Sequence, residues 1–376
     1  MGVNVLVVGG GIVGLTAAHH LASARLTVEV YDRGELGRGA SWAAAGILPP
    51  GYPAYAASPL DSLRAVTVRM FPTYSERLLA DTGVDNGYRR TGGIEFLANA
   101  EADALDSWHA ERLEVEALNA ERLRVAEPLV EAPAGSNAFR LPDFAQVRPP
   151  WHLRAVAAGC QQWRAKLFPG TPVVGWELVN GRVDGLKLAS GDVRRADYYL
   201  VAAGAWAADL LAPLGVAANV APVRGQVVLF RPPRPVCRHI LLVGNRYLVP
   251  RADGRVLAGS TEEPEVGFDC STTAAGVAGL TAYARGLVPA LADAPVEASW
   301  AGLRPGSADG MPSIGFVPGH DNVVAAVGHF RAGVQLSLGT AYLVRNLILN
   351  ETPILPPGAF AVGRVPGLPA RSAFRS

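Results

Sequence analysis

Residues 3–32, VNVLVVGGGIVGLTAAHHLASARLTVEVYD, constrain the fold more than any other part of the chain. Residues 3–8 form a short, mostly β-branched apolar run, the pattern of a buried parallel strand. The run ends in GGGIVG, which fits G-x-G-x-x-G with Gly9, Gly11 and Gly14 in the glycine places. Leu15, Ala18, Leu21 and Ala22 then keep helical spacing, and a second β-branched run, residues 27–31, closes on Asp32. The first glycine permits a tight turn, the second lets backbone approach a pyrophosphate, and the third lets helix and strand pack closely. Free N–H groups at the helix start would hold phosphates, and a carboxylate at the end of the second strand would accept hydrogen bonds from a ribose. Gly-rich turns are common, but strand, turn, helix, strand and acid in this order mark a dinucleotide site.

The remaining bounds are consistent with a globular, multidomain protein. A chain of 376 residues suggests two or three domains. A net charge of +1, with 18% charged residues and no long basic run, gives no case for nucleic acid or an anionic membrane surface. Cys160, Cys237 and Cys270 lie far apart without a C-x-x-C, which argues against a cysteine-rich zinc site or a disulfide framework and for a reducing, cytoplasmic setting. The apolar N-terminus lacks a basic n-region, and its glycines are where a phosphate loop needs them, so no signal peptide is expected. No uninterrupted run of about 18 apolar residues occurs, so no membrane span is expected.

Beyond Asp32, the small residues of SWAAAGIL suit backbone lying flat against a planar ligand. Helices are expected over 60–79, 151–167, 273–287 and 334–350, and residues 193–201 read as one strand running into AAGAW. Strands are expected over 92–97, 225–231, 246–251, 255–259, 298–303 and 323–327, with Arg304, Pro305 and Gly306 as a turn. Disorder is expected past residue 366. Nucleotide-fold segments thus recur at the start, middle and end, with strand-rich insertions between, which implies discontinuous domains.

The segments VVGGGIVGL, YDRGELGRGASWAAAGIL, VVAAGAW, RYLVPR, AGLRPGSADGMPSIG and GHFRAGVQLS, in this order, resemble the D-amino-acid oxidase family of FAD flavoproteins, and within it the glycine oxidases of thiamine biosynthesis. The resemblance covers roughly residues 3–350. It implies an α/β, two-domain fold: an FAD-binding Rossmann domain of glutathione-reductase type over 1–50, 150–212 and 300–350, and a substrate domain over 51–149 and 213–299 built on a large antiparallel sheet. Residues 351–376 would be a tail. Non-covalent FAD is implied, since no cysteine lies in 300–350. Small amino-acid substrate and O₂ are the implied partners, and a homo-oligomer is left open.

Carried over residue by residue, the resemblance places Gly9, Gly11, Ile12, Val13 and Gly14 beside the pyrophosphate and Asp32 and Arg33 near the adenosine. Ala40 and Ser41 would lie along the phosphate–ribityl chain, Ala45, Gly46 and Ile47 against the flavin ring, Val173 at the adenine, and Gly204 close to the cofactor. The segment His329, Phe330, Arg331, Ala332, Gly333, Val334 and Gln335 would bring N–H groups and a helix N-terminus to the pyrimidine side of the flavin. Arg304 would grip the substrate α-carboxylate, Tyr247 would add a hydroxyl, and Arg331 would sit near the substrate amine. The implied chemistry is hydride transfer from the α-carbon to flavin N5, imine hydrolysis, and reduction of O₂ to H₂O₂. The alternatives are a dehydrogenase of the same fold with another electron acceptor, and a flavin-binding protein without turnover. Ala332, Gln335, Ser337, Leu338 and Ile47 depart from the residues those oxidases usually carry.

Overall fold

A computed structural model describes residues 3–98 and 101–367. The tail beyond residue 367, expected to be disordered, lies outside the described residues. The N-terminal segment forms β1 (Asn4–Val8), α1 (Ile12–Ser23) and β2 (Thr27–Tyr31), with β1 and β2 parallel. These strands sit in a six-stranded sheet ordered Ser313–Val317, His320–Val327, Tyr198–Val201, β1, β2, Lys166–Phe168. Every neighbouring pair is parallel except the first. Both faces of β1 are covered, which is why its residues from Val5 onward are all buried.

α1 is enclosed by the helices Gly333–Ile348 and Pro149–Gln162. Leu15, Leu21, Val156, Leu338 and Leu343 pack into one core there. Each such fully buried side chain contributes about 1.5–3 kcal/mol relative to exposure. The third fingerprint glycine, Gly14, lets α1 lie close against the turn after β1: a Cβ there would lie 1.9 Å from the Gly9 carbonyl oxygen.

The second sheet has eight strands, ordered Val296–Ser307, Val220–Phe230, Val256–Gly259, Arg246–Pro250, Ile240–Val243, Gly93–Ala98, Ser136–Leu141, Glu116–Leu118. It is antiparallel except that Ile240–Val243 runs parallel to Gly93–Ala98. That one junction joins segments far apart in sequence, so no tight turn dictates its direction.

Three sequence expectations are modified by pairing. Residues 193–201 divide between two sheets: Val193–Arg194 joins a small antiparallel sheet with Arg182–Leu188, while Tyr198–Val201 lies beside β1. The helix expected to reach residue 167 ends at Gln162; Arg164 then takes a left-handed conformation (φ 62°), and Lys166–Phe168 is a strand. Arg304, Pro305 and Gly306 are no turn. Val296–Ser307 runs through them, with Arg304 opposite Val223 and Pro305 opposite Pro222. The proline is tolerated because this is the edge strand of the sheet. Residues 300–307, expected with the dinucleotide-binding part, therefore belong to the eight-stranded sheet.

Candidate active site

A cavity of about 780 Å³ runs from the C-terminal ends of the parallel strands to Arg304 on the edge strand. Its wall includes Val8 and Gly9 at the end of β1, Asp32 after β2, Ala202 after Tyr198–Val201, and Val327. Open α/β sheets bind ligands at this end of their strands. Of the residues singled out from sequence, Gly9, Gly11, Ile12, Val13, Asp32, Arg33, Ala40, Ser41, Ala45, Gly46, Ile47, Val173 and Gly204 line it. So do Tyr247, Arg304, His329, Phe330, Arg331, Gly333, Val334 and Gln335. Two of the expected residues do not. Gly14 faces Gly9 inside the fold, and Ala332 packs against the core beneath the last helix.

At the fingerprint end, Ser41 Oγ accepts a hydrogen bond from the Ile12 N–H at 2.9 Å and so fixes the start of α1. Asp32 is equally committed: Oδ2 accepts from Gly10 N–H at 2.7 Å and Oδ1 from Gly34 N–H at 2.8 Å. Each carboxylate oxygen retains acceptor capacity beyond these bonds. The Thr171 N–H donates to the Asp32 carbonyl at 2.7 Å, which holds Val173 at the cavity wall. The Arg33 guanidinium lies 4.0 Å over the ring of Trp206, which in turn stacks on Phe268 at 5.3 Å.

Two helix N-termini meet this one cavity. Neither α1 nor Gly333–Ile348 is capped by the side chain of its own N-cap residue or carries an acidic residue in its first turn; at α1 the Ile12 N–H alone is taken, by Ser41 Oγ. The first-turn N–H groups of α1 beyond Ile12, and the positive dipole ends of both helices, thus remain available to a ligand. The small-residue segment between them is pinned by Arg251, which sequence reasoning quoted within RYLVPR but gave no role. Its Nη2 donates to the Ala45 carbonyl at 2.7 Å, and Nη1 to Gln146 Oε1 at 2.8 Å and the Val147 carbonyl at 3.1 Å. Burial pulls its pKa down to about 10, which still leaves it charged at neutral pH.

At the far end, Arg304 is held from one side. Nη1 donates to the Thr261 carbonyl at 3.1 Å and the Arg224 carbonyl at 3.4 Å, and Nη2 to Ser260 Oγ at 2.7 Å. All three acceptors are uncharged. They use at most three of the five guanidinium donors. Desolvation lowers the Arg304 pKa, opposed by Tyr247 and Glu263. Behind it, the buried Arg224 side chain is paired with both Glu263 and Asp269. Arg331 forms an ion pair with Glu262. The His329 Nε2 lies 2.9 Å from Thr340 Oγ1, and burial pushes its pKa down to about 4, so the ring is neutral at pH 7. Ser260, Glu262 and Arg224 lie outside every quoted segment; only non-local strand pairing reveals their place. Among the described residues no group of His, Cys, Asp and Glu is set to hold a metal, and no helix is long and apolar enough to cross a membrane.

A family profile described as FAD dependent oxidoreductase matches residues 4–347. The chain belongs to that family. It is 37% identical over 363 residues to a glycine oxidase from Pseudomonas putida, covering 96% of this chain and 98% of the relative. A glycine oxidase from Pseudomonas aeruginosa is 36% identical, with coverage of 96% and 99%. The crystal structure of glycine oxidase from Geobacillus kaustophilus superposes with a TM-score of 0.91 at 32% identity, covering 97% of this chain and 100% of the other.

The residues of the cavity fit FAD. The start of α1 offers N–H groups beyond that of Ile12 where a pyrophosphate needs them. The wall there is bare backbone: a Cβ on Gly9 would lie 2.3 Å from the Ala202 carbonyl oxygen. The second uncapped helix start, at Gly333, suits a ring that gains negative charge on reduction. FAD is this enzyme's cofactor, and redox chemistry on it is what the family performs.

Proposed function

We propose that the protein is an oxidase that deaminates glycine or another small amino acid, with FAD as cofactor and O₂ as electron acceptor. The observation that carries this reading is Arg304, a cavity-lining guanidinium whose hydrogen-bond acceptors are all neutral. Its charge is left for an anion, and its planar fork matches a carboxylate. The similarity to glycine oxidases across nearly the whole chain supports the same substrate class.

When bound, FAD supplies the acceptor for the hydride leaving the substrate α-carbon and hands the electron pair to O₂. The chain's own residues bind and orient. Arg304 holds the α-carboxylate, and the Tyr247 hydroxyl adds a donor to it. Arg331 stands beside the amine, which enters neutral so that its lone pair assists as the hydride departs. Neutral His329 shapes the wall, and the start of Gly333–Ile348 stabilises negative charge near it. Catalysis comes mainly from placing the α-carbon correctly and from this preorganised field.

In this reading the parallel sheet and its helices form the FAD-binding part, and the eight-stranded sheet, now including residues 296–307, forms the substrate part. We place the protein in the cytosol, where its three unpaired cysteines, Cys160, Cys237 and Cys270, stay reduced.

The test is anaerobic titration of the FAD-loaded protein with glycine, sarcosine and D-amino acids. Loss of the flavin absorbance with glycine, followed by recovery and H₂O₂ on admitting air, is the expected result. Loss without recovery in air would remove O₂ as acceptor, and no loss with any amine would remove amino-acid oxidation.

A further inference from the structure

Arg304 and Arg331, the two arginines at the substrate end of the cavity, are tied to one three-residue segment. Ser260 Oγ and the Thr261 carbonyl hold Arg304, and the Glu262 carboxylate holds Arg331. Neighbouring residues of a chain are 3.8 Å apart at their α-carbons, so the segment gathers two cations at one end of the cavity. What faces each of them differs. Arg304 has neutral acceptors only, whereas Arg331 faces a carboxylate, and Arg224 behind them is matched by Glu263 and Asp269. Of the two arginines at the substrate end, Arg331 thus has a carboxylate directly on its guanidinium, and Arg304 has none on its donors.

A small amino acid with a neutral amine carries a single carboxylate, which the donors of Arg304 left without a carboxylate partner can take. A dicarboxylic amine carries two, and its second carboxylate would meet Arg331 only in competition with Glu262. We propose that Glu262 sets the charge selectivity of the substrate site, cancelling Arg331 so that substrates with one carboxylate are taken and those with two are turned away. This deepens the reading of the site given above and rests on it for the nature of the substrate.

The FAD-loaded wild type and Glu262→Gln are compared in two ways. The first is kcat/KM for glycine against iminodiacetate, which is glycine carrying a second carboxymethyl group. The second is binding of the redox-inert acids acetate and malonate, read from perturbation of the flavin spectrum. Removing the charge is expected to shift both ratios toward the dianion by at least about tenfold at low salt, with a smaller shift at high salt because the pair is partly exposed. Glu262→Asp, which keeps the charge, is expected to retain the wild-type ratios. Glu262→Ala removes the charge by a second route should the glutamine variant not fold. Ratios unchanged in a folded charge-free variant, or shifted equally in Glu262→Asp, would overturn the proposal. The acid titration needs no turnover. A wild type that no amine reduces would therefore count against amino-acid oxidation, while the acetate–malonate ratio would still decide the role of Glu262.

Discussion

The Arg304 guanidinium occupies the space where a Cβ of Gly225 would be: an added methyl would lie 2.2 Å from both Nη1 and Nη2. The two residues sit on paired strands, Val220–Phe230 and Val296–Ser307. The absent side chain on one strand is thus what lets the cation on the other lie flat against the sheet. Gly225→Ala is expected to displace Arg304 without touching the cofactor end. Misplacement by about 1 Å at a reacting centre costs about 100-fold, and kcat/KM for glycine should fall by that order. The flavin spectrum should be retained. Wild-type kinetics in this variant would show that Arg304 does not handle the substrate.

Arg304→Lys keeps the charge but loses the fork. A single ammonium cannot replace donors to the Thr261 carbonyl and Ser260 Oγ while also gripping a carboxylate with two parallel bonds. Hydrogen bonds to charged groups contribute about 1.5–3 kcal/mol, so kcat/KM should drop by about 10- to 100-fold, mostly through KM. Steady-state kinetics on a glycine series measures this directly.

The cofactor end was legible in the sequence because its information is local. Strand, glycine turn, helix and acid follow one another within residues 3–32, and they fold as β1, α1 and β2 with Asp32 directly after. The helix expected over 273–287 likewise forms as Ala274–Leu287, with Thr273 as its cap accepting from Gly276 N–H. What sequence could not show is set by pairing across long separations. Pro305 reads as a turn until Pro222 is placed opposite it, and Ser260 and Glu262 become site residues only when the strands carrying Arg304 and the segment carrying Arg331 converge. Asp32 is a middle case. Its position was legible, but its bonds to Gly10 and Gly34 were not, because they depend on how the loop after β2 folds back.

Those two bonds make Asp32 a structural as well as a binding residue. Asp32→Ala would leave the Gly10 and Gly34 N–H groups without their acceptor and free the fingerprint turn. The expected cost is about 1–3 kcal/mol of stability in the cofactor-free protein, together with weaker FAD binding. Thermal unfolding of the apoprotein and flavin-fluorescence titration separate the two effects. An apoprotein midpoint equal to wild type would show that the carboxylate serves the ligand alone.

Stability should fall steeply in acid because imidazoles are buried at the helix interface. Burial pushes His19 down to about 4, and His20 and His152 down to about 3, against 6.5 for an exposed ring. Between pH 6.5 and about 4 the unfolded chain binds protons that the folded chain refuses, so the stability present above pH 6.5 is lost as pH falls. Each ring adds a slope approaching about 1.4 kcal/mol per pH unit in that window. His20 is the cleanest probe: it stacks on Tyr74 at 18° between planes, and its Nε2 has no hydrogen-bond partner among the described residues. His20→Phe keeps the ring stack, removes an unsatisfied buried nitrogen and cannot take up a proton. Denaturant midpoints measured from pH 7 to 4.5 should therefore match or exceed wild type at neutral pH and decline less steeply in acid. A variant whose acid dependence matches wild type would place the titrating groups elsewhere.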